Sequence, residues 1–289
     1  MARRSFRFLA LLLFASSAVL AKGNPALKSS VSPDAPADLQ LIGWSKDEKR
    51  FAVRIYSLTD NESDDLNEPP PYCPGYMDHR GKKFRGGLRF QLYDGAKPVG
   101  DWPIQDLEKC TPPETARDRL SQANTALAQQ EVDLRNLGTL VVPRKPARPL
   151  PRGKGKTLIS TATTPLVLPS GPWARQTVTV SCRVETTALG TSENAPAGTY
   201  SSRATFTVRL RSSKKPAPLA EFTLGPFEGS ATQAGNWTPT VDRLVLSPSG
   251  RRFVLLGRVD EGPQHGGSAL SVVLGLVELP EPPAPKPGF

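Results

Sequence analysis

The chain has 289 residues, a formal net charge of +10 and 38% hydrophobic residues. This is enough to bury a sizeable core in one large domain or two small ones, which excludes a miniprotein dependent on staples and a wholly disordered chain. Thirty prolines and 24 glycines demand many turns and few long helices, and the positive charge favours contact with anionic surfaces.

The chain opens with Arg3, Arg4 and Arg7, then an apolar run from Phe8 to Leu20, then Val19-Leu20-Ala21 at a site a signal peptidase can read. This three-part pattern predicts a signal peptide over residues 1–21 and a secreted or periplasmic protein. The run is shorter than the roughly 20 apolar residues of a membrane span, and no later stretch reaches that length, so no span is expected in the mature chain. Arg3-Arg4-Ser5-Phe6 partly resembles a twin-arginine signal, but the short basic region and Leu- and Phe-rich run favour the general secretory route.

Residues 22–37, with Pro25, Pro33 and Pro36, read as a flexible leader. An N-terminal β region over 38–142 follows. In it, Leu39–Trp44 and Phe51–Tyr56 form two strands around a polar turn. Residues 60–87 make a polar excursion. Leu88–Tyr93 and Val99–Ile104 form a hairpin about Asp94-Gly95.

A long amphipathic helix is expected over 113–137. Thr111-Pro112-Pro113-Glu114 has capping-box spacing. Ala116, Leu120, Ala123, Leu127, Gln130, Leu134 and Leu137 make a stripe interrupted at Gln130, and Gly138 is expected to end the helix. The stripe fits a helix lying on a sheet better than a zipper, though self-assembly through it is a third functional option.

Residues 143–156 form a basic Pro- and Gly-rich linker. Its Arg144, Lys145, Arg148, Arg152, Lys154 and Lys156 are candidate anion-binding residues, and the absence of an aromatic residue disfavours nucleic acid. A C-terminal β region spans 157–279, with alternating strands at Thr177–Thr187 and Tyr200–Leu210 and further strands at Ala220–Leu224, Val241–Leu246, Phe253–Val259 and Leu270–Leu279. Residues 280–289 are a Pro-rich tail. The fold class is mainly β, with antiparallel sheets in a sandwich-like or irregular propeller-like arrangement and one long helix.

Three cysteines survive export. Cys73 and Cys110 lie in Pro-rich turns and are expected to form a disulfide, worth roughly 3–4 kcal/mol on the chain-entropy model. Cys182 alternates with Val178, Val180 and Val184 and reads as a buried thiol, the alternative being a reactive or intermolecular one.

Two segments match in register. Leu41-Ile42-Gly43-Trp44-Ser45-Lys46-Asp47-Glu48-Lys49-Arg50-Phe51-Ala52-Val53 and Arg243-Leu244-Val245-Leu246-Ser247-Pro248-Ser249-Gly250-Arg251-Arg252-Phe253-Val254-Leu255 each place a serine and a polar turn between apolar strands. Ser and Asp can bond the turn backbone, Gly250 can take positive φ, and the phenylalanine opens the returning strand. The pattern resembles the strand pair in blades of TolB-like and WD40-like propellers. It is also similar to a family of predicted secreted bacterial proteins of unknown function, in which a Gly-Phe-Ser-Pro-Asp-Gly-type motif opens the mature chain and an Ala-rich helix follows. Gly43-Trp44-Ser45-Lys46-Asp47-Glu48 and the helix match it, with Lys46 and Glu48 departing from the family's proline and glycine. The resemblance implies export and a β architecture and brings no activity. About a dozen strands fall short of the four blades of four strands a propeller needs.

Catalytic constellations are scarce. His79 and His265 are the only histidines, no Gly-x-Ser-x-Gly elbow exists, and Cys73 with His79 lacks a second zinc-like pair. Asp60, Glu62, Asp64, Asp65 and Glu68 cluster without EF-hand spacing. The chain is therefore expected to be an exported non-catalytic protein, without a cofactor, that binds an envelope component or partner protein. The alternative is an exported carboxylate-dependent hydrolase acting on envelope polysaccharide, using residues within 60–80.

Overall fold

The computed structural model describes residues 26–27, 38–60, 84–106, 111–144, 150–152, 157–189, 200–211, 218–231, 237–260 and 269–282. Among them are three antiparallel sheets and one helix. The first sheet is a meander of β1 (Asp38–Ser45), β2 (Arg50–Asp60), β3 (Phe84–Asp94) and β4 (Lys97–Asp106), with β5 (Val132–Asp133) added beside β1. The second holds β6 (Thr139–Val141), β12 (Thr238–Leu246), β13 (Arg252–Asp260) and β14 (Ala269–Glu278) in that order. The third is β7 (Leu150–Arg152), β8 (Thr157–Val167), β9 (Thr177–Ala188), β10 (Tyr200–Arg211) and β11 (Ala220–Ala231). The second sheet thus joins a strand preceding the basic linker to the last three strands of the chain.

The repeated motif forms two equivalent hairpins. Trp44 pairs with Phe51 and Leu246 with Phe253. In each turn the serine hydroxyl accepts the amide of the arginine five residues on, at 3.0 Å for Ser45 and Arg50 and 3.1 Å for Ser247 and Arg252. Two residues beyond each serine, Asp47 accepts the Lys49 amide and Ser249 the Arg251 amide, both at 3.1 Å. These side chains substitute for the ladder bonds a turn cannot make, which is why Ser and Asp recur there. The equivalence extends beyond the sequence match. Arg50 pairs with Asp94 on β3 at 3.0 Å, and Arg252 with Glu278 on β14 at 2.6 Å. The short strands match too: β5 lies against Trp44 and Ser45, β6 against Leu244–Leu246.

The two equivalent sheets stack front to back. Trp44, Phe51 and Val53 of the first sheet pack on Val245, Val254 and Leu256 of the second. The opposite face of the second sheet, including Leu246, Phe253 and Leu255, packs on Val178, Val180, Val184, Phe206 and Val208 of the third. Alternation along each strand sends successive residues to opposite faces, so β13, apolar at every position from Phe253 to Leu256, must be covered on both sides. A bulge in β1 between Leu41 and Gly43 keeps Leu41 and Trp44 on one face, although they are an odd three positions apart. Each fully buried aromatic or aliphatic side chain in these layers contributes about 1.5–3 kcal/mol.

The helix α1 (Pro113–Gln129) covers the remaining face of the first sheet. Ala116, Ala123 and Leu127 pack there with Ala52, Leu88, Phe90 and Ile104. It is shorter than the expected 113–137. After Gln130, Glu131 takes φ 52° and Val132 turns into β5, where its side chain is buried. Leu134 still reaches the same apolar cluster, from beyond the helix, so the periodicity outlasts the helix itself. The expected cap is also corrected. The N-cap is Pro112, with no side-chain cap bond, and the Thr111 hydroxyl instead accepts the Asp106 amide at 2.9 Å. Gly138 is not the helix stop. Its φ of 72° carries the chain beneath Trp44, where a Cβ would lie 2.2 Å from the Leu246 carbonyl oxygen.

Leu27 is buried against this cluster, and its amide donates to Asn124 Oδ1 at 3.1 Å. Among the described residues no helix is long and apolar enough to cross a membrane.

Candidate functional site

Two of the three sheets have both faces covered: the first by α1 and the second sheet, the second by its neighbours. The third sheet packs one face on the second, and among the described residues nothing packs on its other face. Strand alternation makes that open face. Val178, Val180, Cys182 and Val184 of β9 point inward, so Thr179, Ser181, Arg183 and Glu185 point outward. On β10, Ala204, Phe206 and Val208 point inward, leaving Arg203, Thr205, Thr207 and Arg209 outward. On β8, Thr161 and Thr163 belong to the same outer face.

The register sets these residues in rows across the strands. Thr163 stands beside Ser181, which stands beside Thr207, and the first two hydroxyls are 3.1 Å apart. Thr157 and Thr187 form a similar pair at 3.4 Å. Rows repeat every ~7 Å along a strand, and strands lie about 4.8 Å apart. The result is a face of hydroxyl rows, each hydroxyl able to donate and accept, bordered on β8 by the exposed Ile159 and Val167. Arg209 and Glu221 cross these rows in a two-bonded pair at 2.7 and 3.2 Å. That pairing raises the Arg209 pKa and lowers that of Glu221, hydrogen bonding being the leading cause for each.

Near the middle of β9 and β10, Arg183, Glu185, Arg203 and Thr205 line a small notch of about 180 Å³. Arg183 faces Thr205 and Glu185 faces Arg203 across the strand pair, so the two arginines are diagonal neighbours. Arg183 is ion-paired with Glu185 at 2.7 Å. The notch therefore holds two guanidiniums and one carboxylate, and Glu228 of β11 stands beside Arg203 on the same face, so the charges balance there.

A larger recess of about 460 Å³ lies beside α1, between Ala26, Asn124, Ala128 and Leu134. Its one charged lining residue is Arg117, and nothing in it pairs a nucleophile with a base.

Of the residues singled out from sequence, Arg144 is exposed after β6 and Arg152 ends β7. Lys145, Arg148, Lys154 and Lys156 lie outside the described residues. So do Cys73 and Cys110, hence their expected disulfide, together with His79, His265 and the acidic cluster beyond Asp60. Cys182 is a buried free thiol, as its alternation implies. Burial pushes its pKa up to about 12, which leaves it protonated and unreactive at neutral pH. Among the described residues no group of three or more His, Cys, Asp or Glu is placed to hold a metal ion.

Sequence reasoning passed over Arg183, Glu185, Arg203 and Thr205. Their signal was present in the same alternation that marked the core: the odd positions of 177–187 run Thr, Thr, Ser, Arg, Glu, Thr. Polar residues on a strand are the ordinary solvated half of the pattern, and only the pairing of β9 with β10 makes them a site. Comparison of the chain with protein-family models, curated proteins and solved structures gave no match.

Proposed function

We propose that this is an exported, non-catalytic binding protein that holds an envelope polysaccharide on the outer face of its third sheet. The single observation that carries the reading is the hydroxyl- and arginine-bearing outer face of β8, β9 and β10, the one sheet face on which no described residue packs. A rigid sheet presents its groups at fixed spacing, so a repeating polymer meets a repeating surface with little ordering required of the protein. Export is supported by the N-terminal pattern of Arg3, Arg4, Arg7 and the apolar run to Leu20.

The test is co-sedimentation of the mature protein with purified peptidoglycan sacculi and with an insoluble acidic polysaccharide. Ser181→Trp sets a bulky ring in the centre of the face, and Arg117→Ala alters the distant α1 surface. Wild type and Arg117→Ala are expected in the pellet with at least one of the two glycans, and Ser181→Trp in the supernatant. Equal behaviour of all three proteins refutes the assignment.

A further inference from the structure

The recess beside α1 takes no part in the proposed binding face, and its lining is ordered along its length. Arg117, Leu120, Ser121, Asn124, Leu127 and Ala128 follow one another at spacings that fall on one side of a helix, so they form a single stripe. At a rise of about 1.5 Å per residue, Arg117 and Ala128 stand about 16 Å apart along the axis. Ala26 and Leu134 make the facing wall. The volume of about 460 Å³ is within the range of small-molecule sites.

The two ends of this trough differ in chemistry. In its middle the Asn124 amide is already committed: Oδ1 accepts the Leu27 amide at 3.1 Å and Nδ2 donates to the Leu120 carbonyl at 2.9 Å. The Thr125 hydroxyl donates to the Ser121 carbonyl at 2.9 Å. At one end, the Arg117 guanidinium and the Ser121 hydroxyl lie one turn apart, and neither has a hydrogen bond or ion pair with any described residue. Glu114 stands one turn before Arg117, but it forms no ion pair with it and does not line the recess. Beyond Thr125 the lining is Leu127, Ala128 and Leu134, with no polar side chain. Leu120 and Leu134 belong to the apolar cluster beneath α1 yet stay half-exposed here.

Shape and charge together select an occupant. A sugar laid along the trough sets hydroxyls against leucine with no partner for them. A linear hydrocarbon chain covers the half-exposed leucines and asks for nothing polar. The single charged lining residue at one end calls for a single anionic head, and a guanidinium offers a planar fork matched to a carboxylate.

We propose that this recess binds a long-chain fatty acid, its carboxylate held by Arg117 and Ser121 and its acyl chain lying along Leu120, Leu127 and Leu134. The site is separate from the face on the third sheet and does not depend on it. An extended chain advances about 1.2 Å per bond, so the trough accommodates about 13 carbons.

Isothermal titration calorimetry of the mature protein with saturated fatty acids from octanoate to octadecanoate, each below its micellar concentration, tests this. Affinity is expected to rise about twofold per methylene, each being covered on one side only, and to level off near 13 carbons. The methyl ester of tetradecanoate should bind at least tenfold more weakly than the acid. Arg117→Gln is expected to lose about tenfold for the acid and to bring acid and ester level, and Arg117→Lys to recover part of that loss. Ala128→Trp fills the far end and should shorten the chain length at which affinity levels off. Equal affinity for acid and ester in the wild-type protein overturns the proposal. So does affinity that climbs with chain length without levelling off and ignores Ala128→Trp, which is partition onto any apolar surface. Failure of every acid to bind overturns it too, and binding that then appears on removal of residues 22–25 assigns the recess to the chain's own N-terminus instead.

Discussion

The β1–β2 and β12–β13 hairpins are two renderings of one motif, and they differ most at one position. The residue that closes the turn with positive φ is Gly250 in the second hairpin, at 71°, and Glu48 in the first, at 57°. For a residue with a Cβ that conformation is unfavourable by about 1–2 kcal/mol. The departure is explained by what Glu48 touches. Its carboxylate accepts the Ser249 amide at 2.8 Å and the Ser249 hydroxyl at 2.5 Å, while the Arg252 guanidinium donates to the Asp47 carbonyl at 2.7 Å. The first turn has no glycine and makes a clasp on the second. Gly250 in turn faces the Gly171 backbone, where no side chain fits. The two hairpins differ where each meets a different neighbour.

The strongest way to break this comparison is at the shared phenylalanines. Phe51 and Phe253 are both fully buried, in different interfaces of the stack. Alanine at either site is expected to lower stability by about 3–5 kcal/mol, with no less at one than at the other. Urea unfolding followed by tryptophan fluorescence reads this. A loss below about 1 kcal/mol at one site would mean that its interface is not part of the core.

The turns themselves sharpen the contrast. Gly250→Ala places a Cβ 2.5 Å from the Gly171 Cα in a strained conformation and is expected to destabilise by about 2–3 kcal/mol. Glu48→Ala should lose about 1.5–3 kcal/mol, since the clasp goes and the strain stays. Glu48→Gly should recover about 1 kcal/mol of that loss by releasing the strain. If Glu48→Gly is more stable than wild type in the same urea titration, the clasp contributes less than the conformation it requires.

The smallest effect expected is one of pH. The Ser45 hydroxyl, first, and the Lys49 amide hold the Asp47 carboxyl below its ordinary 3.8. A depressed carboxyl stabilises the folded state above the unfolded value, and this is lost as pH falls through the lower folded one. Protection of the Lys49 amide, taken relative to the intrinsic exchange rate at each pH, should therefore fall at acid pH below 3.8, while Arg251, whose amide is bonded by the Ser249 hydroxyl, should show no step assignable to Asp47. Identical acid profiles for the two amides would deny Asp47 its role.

These particulars mark how far the sequence was legible. Strand alternation from Thr177 to Thr187 placed Cys182 inside, and the Ser-x-x-x-x-Arg-Phe echo announced both hairpins, because each signal is local. The helix was overextended for the same reason. Leu134 keeps the helical period, but the partner that draws Val132 into β5 is Ser45, far away along the chain. Gly138 reads as a helix stop until Trp44 and Leu246 are seen above it. Likewise Arg183 and Arg203 are unremarkable surface residues until the β9–β10 register sets them diagonally across one notch.

What the sequence by itself determined is the class of this protein: antiparallel β structure with one helix, and two matched hairpins whose turns are written in Ser, Asp, Gly and Arg. Periodicity and turn chemistry act over a few residues, so they are fixed before the chain folds. The tertiary structure alone decided that β6 joins β12, that the equivalent sheets stack front to back, that Glu48 clasps Ser249, and that the third sheet keeps one face open. Each of those depends on which apolar face finds a partner, and that is settled only when every sheet competes for the same cover.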